Sequence, residues 1–149
     1  MSHREKHIIA SIISSFLVFG IYYLVIFQLA QNGRFAGEDA SSLLGRTILF
    51  LIAGGIVANI IVTILFSVGS AIVERNENPS FVVDERDRLI ELRGMRFSNY
   101  LTGAGIIASM IALAIGQSIF VVLNMIIASL ALSDIISNLL MLGIYRRGF

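Results

Sequence analysis

Asp84-Glu85-Arg86-Asp87-Arg88-Leu89-Ile90-Glu91-Leu92-Arg93 is the one dense run of charge in this chain, and long apolar stretches flank it on both sides. Two apolar runs precede it, at about residues 8–30 and 47–73, and two follow it, at about 100–116 and 119–142. Each has at least the about 17 residues that a helix crossing a hydrocarbon core about 30 Å thick requires. A barrel strand would alternate apolar and polar residues, and these runs do not. In lipid, each run must satisfy its own backbone groups, which leaves the helix. The predicted fold is all-α: one transmembrane domain over residues 1–149, a four-helix polytopic bundle built as two antiparallel hairpins. The charged run lies in the segment joining them, residues 74–97.

Composition agrees. Of the 149 residues, 56% are hydrophobic and only 14% charged, where a soluble domain carries about 25% charged. The net charge of +1 gives nucleic-acid binding no electrostatic support. The absence of cysteine removes disulfides, thiolate metal sites and cysteine nucleophiles. The only proline, Pro79, lies outside every apolar run. His3, Arg4 and Lys6 lead into the first run, which is too long for a signal-peptide core. It reads as a retained signal anchor.

Basic residues set the expected orientation. With the N-terminus cytoplasmic, that side holds Arg4, Lys6, Arg75, Arg86, Arg88, Arg93, Arg96, Arg146 and Arg147, and the other side only Arg34 and Arg46. Both termini are therefore expected in the cytoplasm, with the protein in the cell (inner or plasma) membrane. The first outer connection, residues 31–45, reads as a polar loop with a short helical turn near 39–44. The second is little more than Gln117-Ser118, so the last two helices are expected as a tight hairpin. Residues 74–79 read as a solvated linker and turn. Asp84 fits an N-cap, with Asp87 three positions on approximating a capping box. A helix from Glu85 would bring Leu89, Ile90 and Leu92 to helical spacing, and would either run into the third span or bend at Gly94. A faint repeat, 59–65 against 134–140, would fit two parallel hairpins.

Three constellations are candidates for function. The first is the charged helix itself. Asp84, Asp87, Arg88 and Glu91 would share one face; Glu85, Leu89, Leu92 and Arg96 another. Together with Arg86 these residues form either a self-paired, solvated helix, at about 0.2–0.5 kcal/mol per charge pair, or a docking surface. A cation site from Asp84, Glu85, Asp87 and His3 or His7 is opposed by the interleaved arginines.

The second is Asp134, the one formal charge inside a span. It lies about 12 Å from the end of its run by helical rise, where an acid costs about 2.5–3.5 kcal/mol to insert. Ser129, Ser133, Ser137, Asn138 and Asp134 fall on one broad face. Either that stripe lines an ion-accessible cavity, or Asp134 is a structural acid bonded to Asn59, Asn99 or an arginine. In both cases it is expected to face the protein interior, within reach of Arg4, Lys6, Arg93, Arg96 or Asn99. The third is the small-residue seam Thr102, Gly105, Ser109, Ala112 and Gly116, which permits close helix approach within the protomer or between copies. Gly54, Gly55 and Ala58 form a similar notch. No catalytic triad pattern, phosphate loop or H-E-x-x-H motif is present, so no enzyme and no cofactor is expected.

The stretch Asn78-Pro79-x-x-x-x-Asp84-Glu85-Arg86-Asp87-x-x-Ile90, followed by Tyr100, resembles a group of small prokaryotic integral membrane proteins known only as a domain of unknown function. The resemblance covers the two hairpins. It implies four spans and a cytoplasmic Asp-Glu-Arg-Asp motif. Similar chains often lie beside small helix-turn-helix regulators, which implies regulation, and the group supplies no catalytic residues. The expected function is a non-enzymatic interaction or regulatory membrane protein acting through the charged helix. Its expected partners are the bilayer, a second copy of itself and a cytoplasmic protein. The alternative is an oligomeric ion or small-solute channel or transporter using the Asp134 stripe.

Overall fold

The computed structural model describes residues 3–35, 37, 39–73 and 85–147. They form four helices: α1 His3–Gln31, α2 Ala40–Val73, α3 Glu85–Ala114 and α4 Ile119–Arg147. No strand occurs among the described residues. All four helices are long and apolar enough to cross a membrane. Asp84, the expected N-cap, and the linker at 74–79 lie outside the described residues.

Local chemistry ends the helices where the apolar runs end. α1 closes on Gly33, whose φ of 67° is left-handed. Gly33 N donates to Ala30 O at 3.0 Å and Arg34 N to Leu29 O at 3.1 Å, the paired bonds of a Schellman cap. α3 closes in the same way on Gly116, with φ 86°. There Gly116 N donates to Leu113 O and Gln117 N to Ala112 O, both at 3.0 Å. Ser118 then caps α4: its Oγ accepts from Val121 N at 3.4 Å. Gly116 is thus the turn residue between α3 and α4, and not the last member of the packing seam.

α2 begins at Ala40, seven residues before the expected span. The polar stretch 40–46 continues the helix beyond the apolar run, and Leu44 within it is almost wholly buried. α3 runs without interruption through Gly94, so the charged segment and the third apolar run are one rod.

α4 is the hub. α1 packs on one flank and α3 on the other, while α2 rests on α1 and only lightly on α4. Among the described residues α3 packs on α4 alone. Near the α1–α2 connection, Tyr22, Ile26, Leu44 and Ile127 form an apolar core, surrounded by Phe19, Phe35, Phe120 and Leu123. The Phe35 and Phe120 rings lie 4.8 Å apart. Elsewhere large apolar side chains face outward: Phe50 is 78% exposed and Leu65 67%. In water such a surface would aggregate; against acyl chains it is already in its preferred solvent.

Candidate polar site between the helices

The α3–α4 contact uses the seam. An added Cβ on Gly105 would overlap the Ser129 side chain, and one on Gly94 would lie 2.6 Å from Met141 Cγ and Sδ. At Gly105 only glycine lets the two backbones come this close; at Gly94 the neighbour is the flexible Met141 side chain. Ser109 and Ala112 are buried on the same side. Thr102 Oγ1 donates to Ser133 Oγ at 2.9 Å, and Ser137 Oγ donates to Gly94 O at 3.0 Å. Thr102, Gly105, Ser109 and Ala112 therefore pack within the protomer.

The opposite flank of α4 carries Asp134. Ser15 Oγ donates to Asp134 Oδ2. Asn138 Nδ2 donates to Asp134 Oδ1 at 3.2 Å and to its carbonyl at 2.9 Å, and reaches Ser11 Oγ at 3.4 Å. Ser11 and Ser15 are one turn apart on α1, as Asp134 and Asn138 are on α4, so the two pairs meet as rungs. Asp134 faces the interior, half-buried. Its partners among the described residues are this hydroxyl and this amide, not the expected basic side chain or Asn99. Asn99 is exposed on α3; it sits one position, hence about 100°, off the face that meets α4.

The single stripe expected on α4 is in fact two. Ser129, Ser133 and Ser137 are spaced by four and face α3; Asp134 and Asn138 are rotated by about 100° and face α1. A helix with a neighbour on each flank needs polar residues on both, and helical spacing alone merges them.

Beside Asn138, three helices line a groove of about 260 Å³. α1 gives His7 and Ser11, α2 gives Asn59 and Thr63, and α4 gives Asn138. Asn59 thus shares a groove with Asn138, behind whose amide Asp134 lies one hydrogen bond away; Ser133 is on the other flank. Thr63 Oγ1 donates to Asn59 O at 2.8 Å. The notch at Gly54, Gly55 and Ala58 opens a separate apolar groove against α1. Toward the connections, Tyr22 Oη donates to Asn124 Oδ1 at 3.2 Å and Tyr23 Oη to Asn124 O at 3.3 Å. Sequence reasoning overlooked Asn124, Ser11 and Ser15. Only Asn124 had a signal: Asn124, Ile127, Ala131, Asp134 and Asn138 recur at spacings of three and four, one α4 face.

At the start of α3, Ile90 is fully buried, and Tyr145 Oη donates to Asp87 Oδ1 at 2.8 Å. Leu89 and Leu92 stay exposed. Glu85, Arg86, Arg88 and Glu91 face outward, and Arg86, Glu91 and Arg93 each engage a partner. His7 lies in the groove on α1 while Asp87 is tied to α4. Among the described residues no three His, Cys, Asp or Glu side chains cluster to hold a metal.

Fold and site together define an all-α protein of four helices that could each cross a membrane, with a polar contact between α1 and α4. Comparison with protein-family models, curated proteins and solved structures gave no match to this chain.

Proposed function

We propose that this chain is a non-enzymatic interaction or regulatory protein of a prokaryotic cell membrane, which presents the first turns of α3 to a cytoplasmic partner or a second copy of itself. The reading has four spans as two antiparallel hairpins, with both termini cytoplasmic. One observation carries it. The charged segment is the rigid start of a 30-residue helix, held down on one side by Ile90 and the Asp87–Tyr145 bond. The other side displays Glu85, Arg88 and Glu91. A binding face that is ordered before its partner arrives loses less entropy on association.

The basic asymmetry supports the orientation. The pairings support antiparallel neighbours, because numbers that rise on α3 (94, 102, 105) fall on α4 (137, 133, 129). The channel reading stands second. Three serines of its expected lining are committed to the α3 contact, so a path would have to use the Asp134 flank alone.

The test is the triple variant Glu85→Gln, Arg88→Gln, Glu91→Gln, which leaves Asp87 and Ile90 in place. Loss of self-assembly, or of a co-purifying cytoplasmic protein, with helicity unchanged supports the proposal. Unchanged assembly and unchanged partners would remove it.

A further inference from the structure

We propose that the groove beside Asn138 is a binding site for one monovalent cation, with Asp134 as its counter-charge. This goes beyond the interaction surface on α3 and does not depend on it. It does narrow the second reading, from passage of an ion to binding of one.

Three observations converge. First, Asp134 sits among membrane-length helices, and the groups that bond it among the described residues are neutral. A carboxylate away from water needs a positive partner more than it needs two neutral donors. Second, the groove next to it offers acceptors. Asn138 uses its amide hydrogens on Asp134 and Ser11, so it presents Oδ1. Thr63 uses its proton on Asn59 O, so its lone pairs remain. Ser11 and Asn59 add a hydroxyl and an amide to the lining, beside the apolar Ile8, Ala10 and Val62. Oxygen ligands of this kind suit hard cations.

Third, the charge balance selects the valence. Asp134 is the only acid in the 119–147 helix, and α2 contributes no charge after Arg46. On α1, His7 lines the groove itself, Lys6 and Glu5 precede it, and Tyr22 and Tyr23 lie farther along the helix; Arg93 and Arg96 are on α3, which packs on α4 alone among the described residues. One negative charge offsets a monovalent ion and would leave a divalent ion half-compensated at low dielectric. The groove lies at the end where α1 begins and α4 ends. Asn59 also lines a larger, apolar groove that continues toward Leu51, Ile48 and Ile127.

The experiment uses the full chain in detergent, at fixed pH and ionic strength, with N-methylglucamine replaced stepwise by Na⁺ or by K⁺. A saturable rise in Tm of a few degrees is expected with one of them, because a ligand bound only to the folded state stabilises it. The rise should vanish in Asp134→Asn and persist in Asn99→Gln, which changes an exposed position on α3. Where Asp134→Asn does not fold, Asn59→Leu blocks the groove with the carboxylate left in place, and it should also abolish the rise. No shift with either ion, an equal shift in both groove variants, or a shift reproduced by acidification alone would overturn the proposal. Binding without cation flux in proteoliposomes would sustain the site and remove the transport reading.

Discussion

Gly105→Ala is the sharpest structural test, because one methyl group probes the closest approach of α3 to α4. The new Cβ would overlap Ser129 Cβ and lie 3.5 Å from Ser129 Cα. Neither atom is the far end of a flexible chain, so the clash is relieved only by parting the backbones. Overpacking of this kind costs about 1–3 kcal/mol, and parting also weakens the Thr102–Ser133 bond one turn away. Two glycines on the same helix calibrate the effect. Gly94→Ala meets the movable Met141 side chain and should cost about 1 kcal/mol or less. Gly103→Ala meets nothing within 4 Å and should be neutral or slightly stabilising, since alanine is the better helix former.

At roughly 2–4 °C per kcal/mol for a chain of this size, Gly105→Ala should lower Tm by about 2–12 °C, read by circular dichroism in detergent. Adding Ser129→Gly should recover most of the loss, as expected for two residues in direct contact. Equal Tm values for the Gly105 and Gly103 variants, or no rescue by Ser129→Gly, would refute this packing of α3 on α4.

Three further outcomes follow from other contacts. Asp134→Leu removes the acceptor used by Ser15 and Asn138 and should cost about 1–3 kcal/mol; Asp134→Asn keeps an acceptor and should cost less, both read by thermal unfolding. Tyr145→Phe deletes the bond to Asp87 and should speed amide exchange across residues 85–93 at least several-fold, with residues 105–112 unchanged. Gly116→Ala forces a side chain into a left-handed position, φ 86°, and should cost about 1–2 kcal/mol; Gly37→Ala, in open space without that constraint, should cost little.

The four helices were legible because lipid imposes a single backbone solution on any long apolar run. Their ends were legible only where the apolar run and the helix stop together. α2 starts early because Ser41, Ser42 and Arg46 are ordinary helix residues in water, and hydropathy does not register them. The seam was legible as small residues at helical spacing; that it serves α4 depended on which helices are neighbours. The same gap misassigned Asp134. An acid at that depth had to face inward, but its partner could be chosen only once α1 was known to pack against α4. Ser11 and Ser15 look unremarkable in a run of isoleucine and serine until Asp134 and Asn138 are placed opposite them. Merging 129, 133 and 137 with 134 and 138 into one stripe was an error of helical angle: a hub helix carries two interfaces.

The proposed protein-binding face on the first turns of α3 is open to a direct measurement. A photo-crosslinking residue placed at Arg88 in living cells tests it directly, with the same residue at the outward-facing Leu49 as reference. A binding face there should give a discrete protein adduct from position 88, lost when Glu85 and Glu91 are changed to glutamine, and none of that size from position 49. No adduct at 88, or the same adduct from both positions, would contradict it.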